Sequence, residues 1–212
     1  DELMDSFEET DLRKERYIVR KPVRDNRGVN VWTPMAIGKL SVSVPEEGNV
    51  QSFDNFYKPK TSTGVFGRSL RLSEAYLNYA EAKAMMNKEG TDANGATDAK
   101  NALDALRSKR YAASDFEGVD IDDAEELLQF VRDERRRELC FEDHRWYDLR
   151  RWGMKEIKHV WFTDANTKST YTLKLGDKGY TVPIPDEAME LNAALKQNEL
   201  PAKRTSVDEP IQ

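Results

Sequence analysis

Cysteine and histidine are scarce in this chain of 212 residues. One cysteine, Cys140, excludes an internal disulfide framework and a cysteine-based zinc site, and we expect it to pack as a small apolar side chain. Neither of the two histidines, His144 and His159, sits in an HExxH or ExxH arrangement with a partner on the same helical face. The sequence therefore predicts no metal site, and a local hydrogen bond at a helix bend is the simpler role for a histidine.

Long apolar runs and a basic excess are also lacking. No segment approaches the roughly 20 apolar residues of a membrane-spanning helix, and the first residues lack a signal-peptide pattern. The abrupt start suggests a piece of a longer protein. A net charge of -6 and a pI near 5.2 argue against nucleic acid as a partner, because nucleic-acid-binding domains carry a basic patch.

Acidic residues are plentiful, but their surroundings do not suit catalysis. The cluster between Asp115 and Glu126 lacks the glycine of an EF-hand loop, so a solvated helix start is favoured over a calcium site. Nearby arginines should lower the pKa values of Glu134, Glu138 and Glu142, whereas an acid catalyst needs a raised pKa. Without a nucleophile elbow, phosphate loop or dinucleotide turn, the sequence predicts neither an enzyme nor a cofactor.

The stretch Val131–Gly153 has the densest mixture of charged and aromatic residues. Treated as one helix, it places leucine and tryptophan side chains on the same side as several charges. Buried charges need partners, so we predict a structural ion-pair network formed by Glu134, Arg135, Glu138, Glu142 and Arg145. A bend is expected near Asp143 and His144, followed by a short helix that ends at Gly153.

Two helices upstream are predicted to form an antiparallel hairpin. The first, from Leu70 to Lys88, has Leu72, Ala75, Tyr76, Tyr79 and Met86 on one stripe and ends at Gly90. The second runs from about Gly95 to Arg110. Their alanine-rich faces suit tetratricopeptide-like stacking, although no second copy recurs at a period of about 34 residues. A third helix is expected after an N-cap at Asp122 or Asp123.

Residues 1–68 are predicted to be an irregular, loop-rich segment because proline and glycine recur along it. Four of its aromatic residues, Trp32, Phe53, Phe56 and Tyr57, stand near amide side chains and are candidates for stacking on a sugar. Aromatic residues in a long loop more often anchor that loop to a core. The sequence leaves both sugar binding and loop anchoring open for these residues, and the same holds for Trp161 and Phe162.

The carboxyl-terminal part has strand character. Alternation from Tyr171 to Ile184 around a glycine-containing turn predicts a β-hairpin, followed by a short helix from about Asp186 to Leu195 and an extended tail. We therefore expect a mainly α single domain over residues 1–212, divided into the loop-rich segment 1–68, a helical core 69–153 and a region 154–212 with the hairpin, short helix and tail.

Several motifs occur together in one order. They are DLRKERY near the start, RSLRLSEAYLNYAEAKAMM, NALDALRSKR, ERRRELCFEDHRWYDLRRWG and the closing YTVPIPDEAMELNAALKQN. In these motifs and their order, the chain resembles the carboxyl-terminal half of SusD/RagB family proteins. Asp143 stands where the family often has glycine after Phe-Glu, and alanine follows Asn192 where the family has proline.

The resemblance implies a mainly helical protein with tetratricopeptide-like hairpins, long irregular loops and a small β-hairpin. It further implies a lipoprotein on the outer surface of the outer membrane of Bacteroidetes-type bacteria, whose membrane contact is a lipid anchor absent from this chain. Such a protein binds oligo- or polysaccharides without catalysis and acts with a TonB-dependent, SusC-like transporter. The alternative is a tetratricopeptide-like scaffold that binds a protein or peptide.

Overall fold

A computed structural model describes residues 2–20, 23–24, 27–28, 30–32, 35–37, 71–162, 167–203 and 205–210 of the chain. These residues are mainly helical with small antiparallel sheets, which confirms the predicted fold class. The chain divides into two compact units, residues 1–142 and 143–212. The single-domain organisation expected from the sequence stays a prediction.

The first unit begins with short elements where the sequence predicted irregular loop. Helices α1 (Glu2–Asp5) and α2 (Leu12–Tyr17) are followed by strands β1 (Ile18–Arg20), β2 (Val23–Arg24), β3 (Asn30–Trp32) and β4 (Met35–Ile37). Strand β1 pairs antiparallel with β4, and β2 pairs antiparallel with β3. The extended piece expected from Lys39 to Val44 lies outside the described residues.

Three longer helices form the core of this unit. Helix α3 (Leu72–Lys88) packs against α4 (Gly95–Arg107) as the predicted hairpin, and α5 (Ala124–Glu138) packs against both. The hairpin turn follows from Gly90, whose φ of 70° allows the amide of Thr91 to donate to the carbonyl of Met86 at 2.9 Å. Helix α5 begins where Asp123 accepts hydrogen bonds from the amides of Glu125 and Glu126, which confirms one of the two predicted N-caps.

The buried face of α3 is not the stripe that the sequence suggested. The core takes Leu77, Ala80 and Ala84, which meet leucines of α4 and α5, while Leu72 remains 74% exposed. Helical periodicity is the same on both sides of a helix, so it does not by itself identify the buried side. The small residues mark the side where another helix approaches.

The predicted bend lies between α5 and a separate helix, α6 (His144–Arg151). Phe141 and Asp143 have φ values of 63° and 64°, so the backbone leaves the helical region at both residues and the helix cannot continue. Gly153, with a φ of 93°, follows the end of α6 as predicted. The assumption of one continuous helix over Val131–Gly153 is therefore wrong.

The second unit contains α6 and a three-stranded antiparallel sheet. Strand β6 (Thr167–Leu173) lies between β5 (Ile157–Phe162) and β7 (Val207–Pro210). The predicted hairpin from Tyr171 to Ile184 is wrong, because β6 pairs with the preceding strand and the segment after the turn is not a strand, with Lys178–Tyr180 forming a 3-10 turn. Helix α7 (Asp186–Leu191) ends earlier than predicted, and the extended tail pairs with β6 as β7.

Candidate functional site

Of the four aromatic residues proposed to stack on a sugar, one lies within the described residues and three lie outside them. Trp32 ends strand β3, where the structure describes the backbone. Phe53, Phe56 and Tyr57 lie outside the described residues. Their role in ligand binding therefore remains a prediction.

Arg13, on helix α2, is at the centre of a buried cluster of charges. Its Nε and Nη2 donate to the two carboxylate oxygens of Asp11 at 3.0 and 2.7 Å. Its Nη1 donates to Glu134 at 2.6 Å and to Glu138 at 3.0 Å. Burial alone would lower the pKa of Arg13, but Glu134 and Asp11 raise it above its ordinary value, so the side chain stays charged.

Glu138 is fully buried and is surrounded by three guanidinium groups. Arg110 donates through Nε and Nη2 to its two oxygens at 2.9 and 2.7 Å, and Arg71 donates to Oε1 at 2.8 Å. Burial would raise the pKa of Glu138, but the hydrogen bonds and charges of Arg110 and Arg13 lower it to about 2. The carboxylate is therefore ionised at neutral pH.

Glu134 has a comparable environment one helical turn earlier. Arg137 donates to its Oε2 through Nε at 3.1 Å and through Nη2 at 2.9 Å, and Arg107 lies 3.8 Å from the same oxygen. Burial of Glu134 acts to raise its pKa, and the charges of Arg13 and Arg137 outweigh it, so the pKa is lowered. Neither buried glutamate is suited to donate a proton as a general acid.

The other members of the predicted network lie in three different settings. Arg135 is buried and donates to Asn78 of α3 at 2.7 Å. Glu142 pairs with Arg71 at the end of the first unit. Arg145 belongs to the second unit, where its guanidinium lies 5.8 Å from the ring centre of Trp152.

Sequence reasoning missed the partners that bring the cluster together. Arg13, Arg71 and Arg110 come from elements distant in the chain, and helical periodicity relates only residues that share a helix. The sequence did carry a signal for one of these partners. Asp11 and Arg13 belong to the DLRKERY motif, which occurs together with the motif ERRRELCFEDHRWYDLRRWG that contains Glu134 and Glu138. We interpret the cluster as structural, since its carboxylates on Asp11, Glu134 and Glu138 are all paired with arginines.

A groove of about 430 Å³ lies on the surface of the α3–α4 hairpin. Its lining includes Leu72, Ala75, Tyr76 and Tyr79 from α3 and Asn101 from α4. These α3 residues belong to the stripe that the sequence assigned to one helix face, and the structure leaves them exposed. The groove is mostly apolar with a few polar groups, which is the usual composition of a binding surface.

A lysine-centred polar group borders this groove. Lys83 pairs with Asp92 at 2.7 Å and with Asp98 at 2.8 Å, and its ammonium lies 5.6 Å from the ring centre of Tyr79. The hydrogen bonds that Lys83 donates to Asp92 and Asp98 raise the pKa of Lys83 above its ordinary value. The paired charges bridge the two helices and orient the tyrosine at the edge of the groove.

Within the residues that the structure describes, no helix is long and apolar enough to cross a membrane. The same residues hold no group of three or more histidine, cysteine or acidic side chains placed to bind a metal ion.

The fold and surface define a mainly α protein built around a helical hairpin, with exposed aromatic side chains and buried, paired carboxylates. Its sequence matches the profile of the SusD family over residues 67–200, which is more than half of the chain. The chain belongs to the SusD family.

Known relatives are longer than this chain. It is 27% identical over 137 residues to "SusD-like protein P25" of Formosa agariphila, covering 61% of this chain and 23% of that protein. A crystal structure of a SusD-like carbohydrate binding protein from Bacteroides vulgatus has a TM-score of 0.51 at 23% identity, with 89% of this chain and 39% of that one covered. A SusD-like protein from Bacteroides fragilis shares 30% identity over 61% of this chain and 25% of its own, with a TM-score of 0.41.

Proposed function

We propose that this protein captures glycans on the outer surface of the outer membrane, as the lipid-anchored partner of a TonB-dependent transporter, and that it does not catalyse a reaction. The single observation that carries the proposal is the family match over residues 67–200. The chain spans about a quarter of the curated relative that it matches, so ligand, partner and location are inferred for the whole protein. The fold shared with a carbohydrate-binding protein is consistent with the ligand class.

The state of the acidic residues supports binding without catalysis. Glycoside hydrolysis requires one carboxyl group that is protonated at working pH. The buried pair Glu134 and Glu138 have lowered pKa values and are held by arginines. Chemistry at these residues would require breaking ion pairs that hold α2 against α5, so a structural role fits them better.

The glycan contacts are assigned, as a proposal, to the aromatic residues Trp32, Phe53, Phe56 and Tyr57. The test is affinity electrophoresis of the protein through gels that contain neutral polysaccharides such as amylopectin, xylan, galactomannan and laminarin. We expect retardation in at least one gel, reduced by Trp32→Ala or Tyr57→Ala and unchanged by Tyr147→Ala, which alters an exposed aromatic residue on α6. No retardation in any gel would refute glycan binding for this set of sugars.

Protein or peptide binding is the second candidate function, and the groove on the α3–α4 hairpin favours it. Leu72, Tyr76 and Tyr79 are exposed along one helix face, where an apolar helix of a partner could pack. Biolayer interferometry against the purified transporter tests this function. A Tyr76→Ser, Tyr79→Ser double variant should weaken the complex if the groove is the contact, and glycan retardation should not change.

A further inference from the structure

The three-stranded sheet of the second unit presents a mixed aromatic and polar face. In the β5–β6 register, Trp161 lies opposite Ser169 and His159 lies opposite Tyr171. Residues that face each other across an antiparallel pair have their side chains on the same side of the sheet, as do residues two apart along a strand. Trp161, His159, Ser169 and Tyr171 therefore share one face.

The two ends of this face differ in burial. At one end, Leu173 is buried against Leu149 and Tyr180, with Ile157 packed beside them. Toward the other end, Trp161 is 67% exposed and Tyr171 is 41% exposed, while Ser169, opposite Trp161, is buried. The buried end fixes the orientation of the strands, so the exposed aromatic rings stand on a framework that is held in place.

A carboxylate completes the exposed end. Asp208 of β7 lies opposite Ser169, so Trp161, Ser169 and Asp208 form one row across the three strands. The hydroxyl of Ser169 donates to Asp208 Oδ1 at 2.7 Å, and that of Ser206 donates to the same oxygen at 2.9 Å. These bonds lower the pKa of Asp208, and its Oδ2 accepts no hydrogen bond from another side chain of the described residues.

The polar groups beside the rings indicate what kind of ligand fits. A sugar ring offers a C–H face that stacks on an aromatic side chain and hydroxyls that donate to a carboxylate. An anion would be repelled by Asp208, which disfavours nucleic acid and acidic sugars at this position. A purely apolar protein contact over this row would desolvate the carboxylate of Asp208 without supplying a cation, which is costly.

We propose that the face formed by Trp161, Tyr171, Ser169 and Asp208 is a binding site for a neutral oligosaccharide, with Trp161 and Tyr171 as stacking surfaces and Asp208 Oδ2 as the acceptor for sugar hydroxyls. This proposal rests on the proposed glycan-binding function. It names a site in the second unit, separate in the sequence from the four aromatic candidates of residues 1–68.

The test uses the same polysaccharide gels with three variants. Trp161→Ala should weaken binding at least tenfold. Asp208→Asn keeps the shape of the side chain and an oxygen that can accept from Ser169, and it should weaken binding several-fold. Tyr147→Ala is the matched control, because Tyr147 is also 67% exposed and lies on α6 of the same unit. Circular dichroism melts of each variant identify any loss of folding, which is not expected for exposed positions.

The outcomes separate the two proposals. Retardation that Trp161→Ala and Asp208→Asn reduce and Tyr147→Ala preserves supports the sheet site. Retardation equal in all variants overturns the sheet site and leaves the glycan-binding function intact, whereas no retardation of the wild type overturns both. If Trp161→Ala abolishes self-association in sedimentation and leaves sugar binding unchanged, this face is an interface between copies and the proposal is overturned.

Discussion

Arg13 donates a hydrogen bond to Glu134 at 2.6 Å although the two residues are 121 positions apart in the chain. The bond joins the short amino-terminal helix α2 to the carboxyl-terminal half of α5, and both side chains are buried. Removing one charge from such a pair leaves the other buried without compensation, which costs more than the pair contributes when intact.

Glu138→Ala should therefore lower the free energy of unfolding by about 3 to 5 kcal/mol, because it leaves Arg13 and Arg110 without their shared carboxylate. Urea unfolding followed by circular dichroism measures the change. The exposed residue Glu117 provides a control, and Glu117→Ala should change the free energy by less than about 0.5 kcal/mol. Equal midpoints for the two variants would mean that the charges around Glu138 are solvated.

The stability of the protein should depend on pH through the same residue. The pKa of Glu138 is lowered from 4.5 to about 2 in the folded state, so the unfolded chain binds the proton more readily between those values. Stability from this group is fully present above about pH 4.5 and is lost as the pH falls toward 2, by about 3 kcal/mol.

Urea unfolding of the wild type and Glu138→Gln between pH 7 and pH 2.5 isolates this contribution. The variant has no titrating group at this position, so the difference between the two free energies should shrink as the pH falls below 4.5. A difference that stays constant over the whole range would contradict the lowered pKa.

The close approach of α3 and α4 depends on Gly95. A Cβ atom at this position would lie 2.7 Å from the carbonyl oxygen of Lys83 and 3.0 Å from Asn87. Gly95→Ala should destabilise the protein by about 1 to 3 kcal/mol, because the backbone of α3 must shift and this outweighs the better helix propensity of alanine. Thermal denaturation measures the effect, with Thr97→Ala at an exposed position of α4 as the control. A Gly95→Ala melting temperature at or above that of the wild type would refute the close contact.

Asp143 separates α5 from α6 through its left-handed conformation, with a φ of 64° and an exposed side chain. Asp143→Val should destabilise by about 1 to 2 kcal/mol, since a β-branched residue is strained at positive φ, and Asp143→Gly should be close to neutral. Chemical denaturation compares the two with Glu117→Val, an exposed change at an ordinary backbone conformation. If both valine variants lose the same stability, the backbone at residue 143 is not the cause.

Local patterns predicted much of this fold. The α3–α4 hairpin, the N-cap at Asp123, the glycine after α3 and the break near Asp143 all depend on residues within a turn or two of each other. The prediction of the Tyr171–Ile184 hairpin was wrong because Tyr171–Leu173 pairs with β5 and not with the segment after the turn. Alternation shows that a segment is a strand, but it does not show which neighbour supplies the hydrogen bonds.

The Val131–Gly153 stretch shows which features could be predicted from the sequence and which could not. Composition and helical spacing were enough to predict that Glu134, Arg135 and Glu138 would share a face with leucines, and that buried charges there would need partners. The tertiary structure decided which partners they have, because Arg13, Arg71 and Arg110 approach from other elements. It also decided which apolar stripe of α3 is exposed and that Trp161 and Asp208 stand in one row on either side of Ser169. These relationships arise from packing between distant segments, and periodicity within one segment carries no information about them.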